Sequence, residues 1–182
     1  MRVISGTVGG VRLMTPEGMA TRPTIERVKE AIFSSVQFEL PGMRVLDLFA
    51  GTGQMGIEAL SRGAASCTFV DCRKEALAVV KENIRRTRME GKSEVICMDF
   101  EKFLKSTQNT YDLILLDPPY AEKFLENSLK IISEIDILAK DGIIITERPA
   151  DKVLDGQYPG LTPEKDRRYG TVLITRFRKS ID

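Results

Sequence analysis

The sequence has no histidine, and only three of its 182 residues are cysteines. Without histidine, zinc sites built on imidazole and the Ser–His or Cys–His pairs of many hydrolases are excluded. The cysteines are Cys67, Cys72 and Cys97, and their irregular spacing matches no metal-ligand pattern. We therefore expect no metal site in this protein.

Long apolar runs, repeats and low-complexity linkers are missing as well. No window approaches the about 20 apolar residues that span a membrane. The first ten residues, MRVISGTVGG, lack the apolar core of a secretion signal. These absences predict a cytoplasmic protein with no membrane partner, folded as the single domain 1–182.

The net charge is only +1, but the charges are unevenly distributed. Basic side chains exceed acidic ones in residues 1–29, 72–92 and 160–182, whereas acidic ones dominate residues 111–157. Such segregation can present a basic side to a polyanion without an extreme isoelectric point. Taken alone, however, residues 72–92 fit a solvated helix face better than a binding site.

Patterns typical of strands and helices alternate along residues 43–178. Strand patterns cover 43–50, 66–71, 93–99, 111–117 and 142–147, and helical patterns cover 53–63, 73–89, 100–106 and 122–135. Residues 166–178 predict a hairpin around Tyr169-Gly170, with its last strand antiparallel. We therefore expect an α/β fold with a mostly parallel seven-stranded sheet and helices on both faces.

The amino-terminal part breaks this alternation. Residues 1–20 are glycine-rich and predict a β-hairpin extension, and residues 22–40 predict a helix that starts at Arg22-Pro23-Thr24. The core of the domain is accordingly residues 43–178.

A glycine loop follows the first predicted strand of this core. Gly51, Gly53 and Gly56 form G-x-G-x-x-G between strand and helix, which fits either a dinucleotide or S-adenosylmethionine. Asp47 favours the second cofactor, because a carboxylate would repel a pyrophosphate but attract the amino group of a methionine moiety. Asp71 ends the second strand about 20 residues later, where it can accept both ribose hydroxyls of either cofactor. Asp99 ends the third strand.

The fourth strand runs into Asp117-Pro118-Pro119-Tyr120. Two prolines cannot continue a sheet ladder, so the chain must leave the sheet at its carboxyl edge, where open α/β sheets bind ligands. Asp117 and the Pro118 carbonyl can accept the two N–H bonds of an exocyclic amine and draw its nitrogen toward tetrahedral geometry. Tyr120 offers a flat face to an unstacked base.

Together, VLDLFAGTG and DPPY resemble the Rossmann-like class I methyltransferases that use S-adenosyl-L-methionine. With RVISGTVGG and RPTIERVKEAIFSSV, the chain resembles the bacterial ribosomal RNA small subunit methyltransferase D family, which methylates guanine N2 in 16S rRNA. The resemblance implies small-subunit rRNA as the partner, which we expect to be bound within an assembled or assembling particle, and we take a monomer as the default. It implies three groups of residues: a cofactor group (Asp47, Phe49, Gly51, Gly53, Asp71, Asp99, Phe100), a guanine group (Asp117, Pro118, Tyr120) and an RNA group (Arg12, Arg22, Thr24, Arg27).

Two alternatives stay open. An N6-adenine DNA methyltransferase can share the D-P-P-Y motif, but such enzymes commonly add a target-recognition region of ~50–200 residues, for which we find no candidate. A dinucleotide-dependent oxidoreductase would leave Asp47 and the D-P-P-Y motif unexplained.

Overall fold

The computed structural model describes residues 1–16, 23–120, 123–154, 156–164 and 166–180, and for residues 23–25 it describes the backbone alone. Helices and strands alternate through the centre of the chain, as predicted. In order they are α1 (Pro23–Val36), β1 (Arg44–Asp47), α2 (Gln54–Ser61), β2 (Ser66–Asp71), α3 (Lys74–Thr87), β3 (Ser93–Cys97), α4 (Phe100–Ser106), β4 (Tyr111–Leu116), α5 (Phe124–Glu134), β5 (Leu138–Pro149), β6 (Leu161–Pro163), β7 (Arg167–Tyr169) and β8 (Val172–Lys179).

The strands of this part of the chain form one sheet in the order β3-β2-β1-β4-β5-β8-β6, with β7 also paired to β8. Strands β1 to β5 are parallel, and β8 is antiparallel to β5, β6 and β7. The predicted fold class and the terminal hairpin are confirmed. The sheet has eight described strands rather than seven, because β6 is too short to show an alternating pattern in the sequence.

Successive residues of each central strand point to opposite faces of the sheet. On one face, Val45 of β1 and Leu113 of β4 join the core cluster that includes residues of α1, α2 and α3. On the other face, Leu46 and Ile114 join the cluster that includes residues of α4 and α5. Burying the sheet on both faces leaves its carboxyl edge as the place where polar side chains of the strands meet.

Residues 1–16, called here the amino-terminal arm, fold back on themselves through an antiparallel bridge between Arg2 and Arg12. Buried polar side chains attach the arm to the core, among them Glu58 and Asn83. Glu58 of α2 accepts the backbone N–H groups of Ile4 and Ser5, at 2.8 and 3.1 Å. Asn83 of α3 binds both the N–H and the carbonyl of Met14, at 2.6 and 3.0 Å. The arm is therefore a fixed part of the domain rather than a loose tail.

Another buried polar side chain, Lys29 of α1, also bonds the arm. Its Nζ donates to the Arg2 carbonyl at 2.7 Å and lies 3.6 Å from Glu58 Oε2. Burial lowers the pKa of Lys29, and the neighbouring Glu58 carboxylate opposes that effect.

Among the residues that the structure describes, no helix is both long and apolar enough to cross a bilayer.

Candidate functional site

A cleft of about 700 Å³ opens at the carboxyl ends of the parallel strands. It includes the point between β1 and β4 where the strand order reverses, which is where such sheets bind ligands. Nine of the sequence-predicted residues line it, namely Asp47, Phe49, Gly51, Asp71, Asp99, Phe100, Asp117, Pro118 and Tyr120. We distinguish its β1–β3 side, with Asp47, Asp71 and Asp99, from its β4–β5 side, with Asp117 and Tyr120.

The three glycines of the loop have different roles. Gly51, at φ 56°, faces open space, since a Cβ there would meet only the Phe49 carbonyl oxygen, at 3.9 Å. Gly53, at φ 78°, does not line the cleft, and a Cβ there would press on Val80 at 3.2 Å. A Cβ on Gly56 would lie 2.3 Å from the Phe69 ring, so this glycine lets α2 pack against β2. Only Gly51 leaves room for a ligand.

Asp47 is the last residue of β1, and the backbone N–H of Gly56 donates to its Oδ2 at 3.0 Å. Burial, together with the nearby Asp71 charge, raises the pKa of Asp47 to about 7, against the opposing effect of this hydrogen bond. Asp47 therefore both fixes the start of α2 and changes its charge near neutral pH.

Asp71, at the end of β2, is tightly bound by its neighbours. Its oxygens accept the Gly51 N–H and the Arg73 N–H, both at 3.0 Å, and two nitrogens of the Arg73 guanidinium at 3.1 Å. Burial opposes ionisation, but the hydrogen bonds from Arg73 and Gly51 outweigh it and lower the pKa of Asp71. The sequence interpretation missed Arg73, although an arginine two residues after an acid is an available signal.

Asp99 caps the amino terminus of α4, where its Oδ1 accepts the N–H groups of Glu101 and Lys102. The next residue, Phe100, is nearly buried beside two other rings of the cleft. The Phe100 ring lies 5.2 Å from that of Phe49 and 5.3 Å from that of Phe124. The β1–β3 side is thus lined by aromatic rings and by acids, most of whose oxygens already accept hydrogen bonds from the protein.

The β4–β5 side differs. The Asp117 carboxyl group, directly after β4, accepts no hydrogen bond and forms no ion pair with any residue that the structure describes. The residue is exposed to solvent through the cleft, yet the surrounding protein desolvates its carboxyl group. This desolvation, followed by the charges of Glu147 and Asp47, raises the pKa of Asp117 well above its ordinary value.

Glu147, near the end of β5, is the second acid of this side. The Tyr120 hydroxyl donates to Glu147 Oε1 at 3.0 Å, and desolvation raises the pKa of Glu147 despite this bond. Lys152 Nζ donates to the Tyr120 carbonyl. The sequence interpretation did not single out Glu147, although it ends the fifth predicted strand as the other acids end theirs.

Two of the predicted RNA residues, Arg12 and Arg27, lie outside the cleft. Arg12 of the amino-terminal arm and Arg27 of α1 are exposed, and neither forms an ion pair within the described part of the chain. Arg22 lies outside the described residues, as does the side chain of Thr24. Neighbouring residues of α1, Val28 and Lys29, line the cleft, so this helix joins the basic segment to the site.

Comparison with known proteins identifies the family. A family model described as "Conserved hypothetical protein 95" matches residues 1–178. The chain is 33% identical to the ribosomal RNA small subunit methyltransferase D of Haemophilus influenzae over 167 residues, covering 90% of this chain and 83% of that protein. The chain belongs to the methyltransferase D family. It is also 37% identical to Bacillus subtilis YlbH, named as a candidate rRNA methyltransferase, over 98% of this chain and 99% of that protein.

Solved structures agree with the methyltransferase D family fold. A candidate methylase from Haemophilus influenzae, HI0767, is 30% identical and superposes with a TM-score of 0.82 over 99% of this chain and 98% of that one. The candidate methyltransferase SMU.776, solved as a complex with SAH, has a TM-score of 0.71 at 18% identity over 87% of this chain and 50% of that one. At that identity the second likeness shows the fold alone.

Proposed function

We propose that this protein transfers a methyl group from S-adenosyl-L-methionine to the exocyclic N2 amine of a guanosine in 16S rRNA. One observation carries the proposal. A single cleft joins a β1–β3 side suited to the cofactor with a β4–β5 side whose free acceptors suit an amine. Family membership supports methylation of rRNA, and the choice of guanine N2 is the part that we add.

The β1–β3 side fits the cofactor because Gly51 leaves open space at the loop. Asp71 would hold the ribose hydroxyls in exchange for its hydrogen bonds from the exposed Arg73 guanidinium. Asp47 would attract the methionine amino group, and the rings of Phe49 and Phe100 would pack against the adenine. Asp99 has one oxygen that receives no hydrogen bond from the described residues, which leaves an acceptor for an adenine amine. When bound, the cofactor supplies an electrophilic methyl group on sulfur.

The β4–β5 side fits an aromatic amine. Such an amine is a poor nucleophile because its lone pair is delocalised into the ring. Asp117 and the Pro118 carbonyl would accept its two N–H bonds and localise the lone pair on nitrogen. Tyr120 is 42% exposed, so its ring is accessible to a base that has left its stack.

The basic segments would bind the RNA around that base. Arg12 and Arg27 are exposed and carry no ion pair with the described residues, so their charges are available to phosphates. The substrate we favour is the rRNA in an assembled or assembling small-subunit particle, which agrees with the cytoplasmic location predicted from the sequence.

The test is methyl transfer by the purified protein to small-subunit particles from cells that lack the gene. We expect N2-methylguanosine in the 16S rRNA, detected by nucleoside mass spectrometry. Methylation of adenine N6 in DNA under the same conditions would instead support the alternative enzyme. Calorimetry with S-adenosyl-L-methionine and with NAD provides a separate check, and binding of NAD alone would contradict the cofactor assignment.

A further inference from the structure

The two acids of the β4–β5 side lie at the ends of neighbouring strands. Strands β4 and β5 are parallel, and their register pairs Leu115 with Ile145 and Leu116 with Thr146. The next residue after this pair is Asp117, directly after β4, and Glu147, on β5, and both residues line the cleft. Neighbouring strands lie about 4.8 Å apart, so the register brings these two carboxyl groups to one end of the site.

Both acids have acceptor capacity to spare. Tyr120 occupies Glu147 Oε1, whereas Glu147 Oε2 and both Asp117 oxygens receive no hydrogen bond from the part of the chain that the structure describes. A partly desolvated acceptor without a donor is unfavourable. A ligand that offers two adjacent donors would therefore complement this side of the cleft.

Among the bases, the Watson–Crick edge of guanine has that pattern, because the N1–H and the N2 amine are adjacent donors. Adenine and cytosine instead place a ring-nitrogen acceptor beside their exocyclic amine. A carboxylate opposite that ring nitrogen would place one acceptor against another, so repulsion of the wrong base adds to the attraction of the right one.

We infer that Glu147 selects guanine by accepting its N1–H, while Asp117 accepts the neighbouring N2 amine. This inference rests on the proposed function. Tyr120 acts here as a positioning residue, since its hydroxyl fixes the Glu147 carboxylate while its ring faces the base. The D-P-P-Y motif thus binds the amine that is methylated, and Glu147 on the next strand selects the base that carries this amine.

The test uses a base that keeps the N2 amine but lacks the N1–H. The methylated guanosine is first mapped with the wild-type protein, and particles are then reconstituted with 16S rRNA carrying 2,6-diaminopurine at that position. In single-turnover reactions, we expect the wild type to methylate diaminopurine roughly 10²-fold more slowly than guanine, the scale for leaving a matched polar group unpaired.

The variant Glu147→Gln should change that preference. Its amide keeps an oxygen for the Tyr120 hydroxyl, and its nitrogen can donate to the unprotonated N1 of diaminopurine. We expect slower transfer to guanine and faster transfer to diaminopurine, so that the ratio of the two rates moves toward one by at least about tenfold. Diaminopurine also carries an amine where guanine has O6. The wild type and Glu147→Gln both meet this change, so its effect cancels when their rate ratios are compared.

Two further variants serve as references. Tyr120→Phe keeps the ring but removes the hydroxyl that holds Glu147, and it should weaken the preference by a smaller factor. Glu134→Gln changes an exposed acid at the end of α5 and should leave the preference unchanged. Cofactor affinity, measured by calorimetry, should be the same in all of these proteins.

The outcomes separate this inference from the function on which it rests. If the wild type leaves guanine N2 unmethylated, the proposed function fails before any variant is examined. If the wild type methylates guanine and diaminopurine at similar rates, or Glu147→Gln slows both equally, the function survives and the selection by Glu147 is overturned.

Discussion

The acids on the two sides of the cleft differ in how their oxygens are used. On the β1–β3 side, Asp71 accepts four hydrogen bonds and Asp99 caps a helix, and the pKa of Asp71 is lowered. On the β4–β5 side, Asp117 has no partner among the described residues, and the pKa of Asp117 is raised. One sheet edge thus carries acids whose oxygens are mostly bonded and an acid whose oxygens have no donor among the described residues. The difference teaches that neighbouring donors decide the direction in which the pKa of an aspartate shifts at this edge: donors around Asp71 lower its pKa, and their absence around Asp117 leaves the effect of desolvation unopposed.

The comparison is tested most severely by Asp117→Asn. If the carboxylate accepts an amine N–H in the transition state, the amide weakens that acceptor and turns one arm into a donor that faces a donor. We expect single-turnover methyl transfer to fall by roughly 10²-fold or more, the scale for one preorganised group. Activity within about twofold of the wild type would contradict the assigned role.

The stability of the same variant provides its control. Because the pKa of Asp117 is raised in the folded state, its ionisation opposes folding. This penalty is absent below the ordinary pKa of an aspartate and grows as the pH rises toward the raised value. Asp117→Asn should therefore unfold at the same or a higher temperature than the wild type, with the difference increasing with pH. A large loss of stability would mean that the drop in activity reports misfolding.

The β1–β3 side is tested by Asp71→Ala. Removing the acceptor for the ribose hydroxyls, and for the Gly51 N–H, should weaken S-adenosyl-L-methionine binding by about 1–3 kcal/mol in titration calorimetry. Turnover at saturating cofactor should change much less. Asp112→Ala is a matched control, since Asp112 pairs in the same bidentate way with Arg44 outside the cleft. Equal affinity in a folded Asp71→Ala protein would remove Asp71 from the cofactor site.

Asp47, also on the β1–β3 side, predicts a pH dependence of cofactor binding. Because burial raises the pKa of Asp47 to about 7, its negative charge appears across the neutral range. Cofactor affinity should therefore rise between pH 5.5 and 7.5, while a free α-amino group remains mostly charged, by at most about tenfold per pH unit. Asp47→Asn should flatten this profile. A wild-type profile that is already flat would rule out Asp47 as the partner of the amino group.

The smallest expected effect lies outside the cleft, at Arg12 and Arg27. Replacing both with Ala should reduce the slope of log affinity for RNA against log salt by about two phosphate contacts. Cofactor affinity should stay the same. Lys130→Ala combined with Lys140→Ala removes equal charge from two exposed positions elsewhere and serves as the control. If the slopes of wild type and variant agree, the arginines form only a solvated surface.

The sequence predicted the cleft better than it predicted the contacts inside it. Asp47, Asp71, Asp99 and Asp117 were found because strand ends in a parallel sheet meet at one edge, and a local pattern marks each strand end. The bond between Tyr120 and Glu147 joins residues 27 positions apart and depends on the register of two strands. No local pattern carries that information.

Buried polar side chains on helices were missed for a related reason. Asn83 lies within residues 72–92, which the sequence alone favoured as a solvated helix face, and no local pattern singled out Glu58. Both are instead fully buried, because the amino-terminal arm packs over them. The sequence predicted that the arm exists but not where it docks.

Asn83 does more than attach the arm. Its amide nitrogen donates to the Met14 carbonyl at 3.0 Å and to the Thr52 carbonyl, inside the glycine loop, at 2.9 Å. One side chain thus spans the segment assigned to RNA and the loop assigned to the cofactor. Thermodynamic linkage is reciprocal. If a bound cofactor changes the affinity for RNA through this amide by some factor, bound RNA must change the affinity for the cofactor by the same factor. The two ligands of this enzyme should be studied as one coupled equilibrium rather than as two separate dissociation constants.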